Sequence, residues 1–262
     1  MKEFYHKWYS QYLSRDFEMN VYGEKGLPVI LFPTFNGRFF EHKDNGVISS
    51  VSNYIDAGKI KVYCHDNFNY SSWHNYEIEP ADRAKNHIAY ERMIINDILG
   101  FAKYETGFDK FIIAGFEFGA YHALNFTLRH PEKASNLLCV SGFYDIKQFI
   151  FGYYDDNCYF NNPTDYLPNL EDEWYLNQLQ QIKIEIGVSS NDSLLDENKN
   201  ISNLLSKKKI VNTFSVERKA KDKNESWKII FNQFIANIMN EKESEQKHSD
   251  KRFTNNKPEL NL

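Results

Sequence analysis

The 262-residue sequence has no run approaching the roughly 20 apolar residues that a membrane-spanning helix needs. Its first residues, MKEFYHKWYS, lack the apolar stretch of a secretion signal. Cysteine is scarce: Cys64, Cys139 and Cys158 stand alone, and no Cys/His spacing suggests a zinc site. Cys64 and Cys139 lie inside apolar, strand-like runs, where a free thiol behaves as a small hydrophobe. There is no basic stripe before the tail, and a net charge of -5 with a pI near 5.9 disfavours nucleic acid as a partner. Together these absences lead to the expectation of a soluble, cytoplasmic protein with no membrane or nucleic-acid partner, no metal and no cofactor. A further absence is positional. The histidines are His6, His42, His65, His74, His87, His122, His130 and His248, so none falls between 130 and 248.

Hydrophobic residues make up 42% and charged residues 26%, which fits one large globular domain of this length. Phe17, Met19 and Val21 alternate with polar residues, as in an antiparallel strand near the N-terminus. The continuous runs Leu27 to Phe32, Ile60 to Cys64, Phe111 to Ala114 and Asn136 to Val140 read as strands buried on both faces. Ile182 to Val188 and Ile210 to Val216 are further strands. Helical spacing marks Val47 to Ala57, a long segment opened by Pro80, part of Asp192 to Leu205, and Ser226 to Met239. This alternation predicts an α/β fold: a mostly parallel central sheet, antiparallel strands at its N-terminal edge, and helices on both faces. The expected domain spans 1–240, with residues 144–181 as a loop-rich excursion over the active-site end. Residues 241–262 read as a disordered charged tail.

The stretch KFIIAGFEFGAYHALNFTLRHP, residues 110–131, carries the most information. A buried strand runs into Gly115-Phe116-Glu117-Phe118-Gly119, and an amphipathic helix follows. That is the layout of the nucleophile elbow, G-x-S-x-G, with glutamate at the serine position. Gly115 and Gly119 are expected where strand and helix approach too closely for a side chain. Ligands of such sheets gather at the carboxyl ends of strands. Phe35, Asp66, Glu117, Tyr144 and Asp192 are expected there, with Arg38, Trp73 and Tyr153 as further cleft-lining candidates. Asp145, Asp155, Asp156 and Asp165 lack the spacing of a metal-binding loop and read as a solvated acidic surface.

The elbow, the order of elements and the phrases YHKWYS, LFPTFNGRFFEH, HPEKASNLLCVSGFYDI and NPTDYLPNL resemble the α/β-hydrolase superfamily. More narrowly, they resemble its bacterial esterase D-like branch, over roughly residues 5–240. The resemblance implies a triad in the chain order nucleophile, acid, histidine. It places Glu117 at the nucleophile, Asp192 at the acid, and Glu225 where a histidine precedes the last helix. It also implies oxyanion-hole donors at Phe35 and Phe118. With serine and histidine both replaced, the chain is expected to be a catalytically inactive esterase relative, a pseudo-hydrolase. Its cleft would be kept for a small ester-like or cationic ligand, a protein partner or a second copy. The alternative is an active carboxylic-ester hydrolase built on a non-standard constellation around Glu117 and Asp192, and Ser141 and Ser226 are the other serines to suspect. Glu117 itself would either cap its own helix or pair with a cation such as Arg38 or Lys219.

Overall fold

The computed structural model describes the backbone of residues 1–255 and the side chains of residues 1–244. Strands β1 (Glu3–Ser10), β2 (Arg15–Tyr22) and β3 (Leu27–Phe32) lead into three short helices, α1 (Glu41–Asp44), α2 (Val47–Ser50) and α3 (Ser52–Asp56). Strand β4 (Ile60–His65) is followed by α4 (Pro80–Met93) and α5 (Leu99–Thr106), joined without a break by a π-helical stretch, Ile94–Ile98. Next come β5 (Phe111–Phe116), α6 (Phe118–Arg129) and β6 (Ala134–Val140). The excursion holds α7 (Asp156–Tyr159), α8 (Pro163–Tyr166) and α9 (Glu173–Leu179). The chain ends with β7 (Lys183–Ser189), α10 (Leu195–Lys207), β8 (Asn212–Glu217) and α11 (Lys223–Asn255).

The eight strands form one sheet in the order β1-β2-β4-β3-β5-β6-β7-β8. β2 is antiparallel to both neighbours, and the pairs from β4 to β8 are parallel. The continuous apolar strands follow from a core on each face. In β3, Ile30 and Phe32 enter the layer formed with α4, α5, α6 and the excursion, while Val29 and Leu31 enter the layer under α2, α3 and α11. Helix α6 is buried from Phe118 through Leu128. A helix hydrophobic on nearly every side must be enclosed by other elements.

Three expectations need correction. The helix expected over Val47 to Ala57 is two short pieces, because Val51 leaves helical geometry at φ -117° and ψ 14°. The last strand begins at Asn212, not Ile210, because Lys209 turns the chain with φ 60° and Ile210 is buried beside α10. The described part of the tail is helical, since α11 runs on to Asn255; residues 256–262 lie outside the described residues. Among the described residues, no helix is long and apolar enough to cross a membrane.

The excursion also lies differently from its expected place. Its first part, around Phe149, reaches the elbow end, where Phe149 stands 5.5 Å from the Phe118 ring. Its helices then run along α6 toward the opposite end, with α9 against the Pro131–Lys133 turn that follows α6.

Candidate active site

Glu117 sits at the turn between β5 and α6 with φ 51° and ψ -116°, a region that side-chain-bearing residues rarely occupy. The turn is held by three backbone hydrogen bonds. The Glu117 amide donates to the Val140 carbonyl at 2.9 Å, and the Glu117 carbonyl accepts from Ala120 at 3.1 Å and Phe143 at 3.3 Å. The steric expectation for the glycines is met. A Cβ on Gly115 would lie 2.1 Å from the Gly119 carbonyl oxygen, and one on Gly119 would lie 2.5 Å from the Phe32 carbonyl oxygen.

The Glu117 carboxylate does not cap α6. Its partner is the ammonium of Lys223, the first residue of α11, and both side chains are partly exposed. The same ammonium lies 5.1 Å from the centroid of the Trp227 ring. Lys223 thus places a positive charge at a helix N-terminus, where a cation is disfavoured. The Glu117 carboxylate offsets that charge. The two cations expected for Glu117 do not supply the pair: Arg38 binds Asp66 and Glu18, each at 2.6 Å, and Lys219 donates its backbone amide to Glu217, its ammonium making no ion pair among the described residues.

Glu225, expected at the histidine position, is engaged with nearby backbone. The Asp222 carboxylate caps α11 by accepting from the Glu225 amide at 2.8 Å, and the Glu225 carboxylate accepts from the Lys221 amide, one residue before the cap, at 2.7 Å. Asp192 is likewise engaged locally, accepting from the Leu194 amide at 2.9 Å. Among the described residues, neither makes an ion pair with Lys223. Asp66 and Arg38 brace the loop after β3 against β2, and burial raises the Asp66 carboxyl above its usual range while Arg38 opposes that rise.

Two aromatic candidates turn inward instead of lining a cleft. Trp73 is wholly buried and donates from Nε1 to the Tyr121 hydroxyl at 3.1 Å. Tyr144 is wholly buried and donates to Asn198 Oδ1 at 3.0 Å. Each has a polar end that finds a partner within the core, which lets the ring be enclosed. Tyr153 remains at the surface, donating to Asp155 at 2.9 Å. Ser141 and Ser226 are also enclosed, with hydroxyls that contact no partner and no solvent.

The loop at the oxyanion position is fixed by side chains that the sequence reading passed over. Glu41 accepts from the Thr34 amide at 3.1 Å and from its hydroxyl at 2.5 Å. Burial raises the Glu41 carboxyl above its usual range, the Thr34 hydrogen bonds oppose this, and the charge on Glu117 adds to it. Asn69 donates to the Phe35 carbonyl at 3.0 Å. Phe35 and Phe118 both pack on His74, at ring separations of 3.5 and 5.0 Å. His74 is 95% enclosed, neither ring nitrogen has a hydrogen-bond partner among the described residues, and burial pushes its pKa down to about 3. His122, the histidine nearest Glu117 in sequence, faces away and hydrogen-bonds Asn69 Oδ1 at 2.8 Å. Among the described residues, no histidine side chain bonds to Glu117. The phrase N-Y-S-S-W-H offered no periodic signal for His74, and a long lysine side chain reaching back from α11 leaves none either.

The sheet order, the strained turn after β5 and the helices on both faces define an α/β-hydrolase fold. No family profile and no curated protein matches the chain. The structure is similar to a ferulic acid esterase, with a TM-score of 0.70 and 15% identity over 88% of this chain and 95% of the other. It is similar to an S-formylglutathione hydrolase from Agrobacterium tumefaciens, with a TM-score of 0.64 and 12% identity over 89% of this chain and 93% of that one. It is also similar to fluorophosphonate-binding serine hydrolase F from Staphylococcus aureus, with a TM-score of 0.60 and 14% identity over 90% and 97% of the two chains. At such identities the likeness is one of fold.

Proposed function

We propose that this protein is a pseudo-hydrolase, an esterase-like scaffold that binds without hydrolysing esters. The observation that carries this reading is the Glu117–Lys223 ion pair at the elbow. Serine catalysis needs a hydroxyl whose proton an imidazole can take. Here the apex presents a carboxylate held by an ammonium, which cannot perform that transfer. A carboxylate nucleophile would need a base to activate the water that clears its ester intermediate. The ammonium beside Glu117 is an acid, not such a base. A ligand of the elbow would be ester-like, or a cation that competes with Lys223 for the carboxylate.

The test is incubation with p-nitrophenyl acetate and with a fluorophosphonate probe, using the fluorophosphonate-binding hydrolase F as positive control. Neither turnover nor labelling is expected. Turnover above background that disappears in Glu117→Gln would overturn the proposal. The constructive arm is Glu117→Ser with Lys223→His. Esterase activity in that double variant would show that a hydroxyl and an imidazole at these two positions meet as the Glu117 and Lys223 side chains do.

A further inference from the structure

We infer a second ligand site, remote from the elbow, for a small organic cation with an apolar body. A cavity of about 620 Å³ opens at the far end of α6, between its last turn and the excursion helices α7 and α9. That volume falls in the range of small-molecule sites. The eleven residue steps from Phe118 to Arg129 put it about 16 Å along the helix from the elbow, at roughly 1.5 Å per residue.

The chemistry of its wall selects the ligand. Tyr159, Phe160 and Tyr175 supply ring surface, and Phe160 is 55% exposed although it is large and apolar. The Tyr159 and Phe160 rings meet edge to face at 5.0 Å, giving two differently oriented faces. Asp156 and Glu171 stand at the rim, both exposed, and among the described residues neither has a lysine, arginine or histidine within ion-pair distance. Asp172 beside them is partly committed, accepting from the Trp174 and Tyr175 amides at 2.9 and 3.3 Å.

The cation on this wall, Arg129, does not compensate those carboxylates. Its guanidinium bonds Glu91 at 2.9 Å, the Phe160 carbonyl at 2.8 Å and Asn161 Oδ1 at 3.1 Å. Its charge is therefore met by Glu91, and the opposite rim keeps an uncompensated negative field. Aromatic rings beside unpaired carboxylates are a setting in which ammonium groups are bound. A neutral or anionic ligand of the same size would leave that field unanswered.

The probe is benzyltrimethylammonium, with benzyl alcohol and benzenesulfonate as neutral and anionic counterparts, titrated into the full chain by calorimetry at low and high salt. Saturable binding of the cation alone is expected, weakening as salt rises. Asp156→Asn with Glu171→Gln should weaken it about fivefold or more, and so should Tyr175→Ala, the scale of losing a cation–π or charge contact. The carboxylate changes are exposed and isosteric, so folding is not at stake, and circular dichroism will verify that for Tyr175→Ala. Glu117→Gln should leave the affinity unchanged, which separates this site from the elbow. No saturation with the cation, equal binding of the three probes, or binding that survives the rim variants and disappears with Glu117→Gln would each overturn the inference.

Discussion

At Glu117 a residue with a long side chain occupies a strained turn, and that strain can be measured. The backbone angles cost roughly 1–3 kcal/mol for a residue with a side chain. The partly exposed pair with Lys223 returns about 0–1 kcal/mol. Lys223→Ala should therefore shift urea stability by no more than that. Glu117→Gly and Glu117→Ala both delete the pair, so their difference isolates the backbone. Glycine relieves the strain and loses about 0.5–1 kcal/mol through its looser unfolded chain. The glycine variant should be the more stable by about 1 kcal/mol; an alanine variant more stable than glycine by about 0.5–1 kcal/mol would mean that the turn is not strained.

The enclosed imidazoles give a second residue-scale expectation. Burial pushes His42, His65 and His87 down to about 4 and His74 to about 3, and it takes His122 well below the usual range. The unfolded chain takes up these protons below about pH 6.5, whereas the folded chain does not. Their contribution to stability is thus complete above that pH and falls as pH drops toward the folded values. Each imidazole can cost up to about 1.4 kcal/mol per pH unit. Glu41, Asp66, Glu185 and Glu197, raised by burial, act in the opposite direction, but nearer the carboxylate range. Urea midpoints should therefore fall clearly between about pH 7.5 and 5.5. A flat profile there would mean that the imidazoles are hydrated in solution.

At the scale of elements, the joint between β5, α6 and β3 explains the two glycines of the turn by sterics alone. Gly119 lets α6 press against the last carbonyls of β3. Gly119→Ala should cost about 1–3 kcal/mol, the range for forcing a methylene into a packed interior, as read by urea unfolding. A neutral result would mean that the helix can slide away from the strand. This joint was legible in the sequence because its signal is spacing: an apolar run, two glycines flanking the apex residue, then a helical pattern. The strands were legible for the same reason. Lys223 was not, because a flexible side chain returning from a helix start obeys no period. Trp73 and Tyr144 misled because a ring with a polar end looks alike at a cleft and in a core. Only the positions of Tyr121 and Asn198 decide between the two. The tail was misread through composition. Its helical part is rich in Glu and Lys, good helix formers, and that composition also suits a solvated coil.

Across the whole molecule, the two core layers depend unequally on the C-terminal helix. The layer away from α6 is covered largely by α11, through Trp227, Ile230, Phe231, Phe234, Ile235, Ile238 and Met239. Each such side chain contributes about 1.5–3 kcal/mol when buried, so together they match or exceed the roughly 5–15 kcal/mol by which a domain is stable. A chain ending at residue 225 should therefore not fold. Past Met239 the described contacts change in kind. Glu241 pairs with Lys183 and Glu243 with Lys59, all at the surface. Such pairs are worth about 0–1 kcal/mol each. A chain ending at residue 240 should keep the native circular dichroism of the sheet and core and lose at most about 2 kcal/mol in urea unfolding. A larger loss would show that the helical continuation to Asn255 is held by packing as well as by charge, making it part of the fold and not an extension of its last helix.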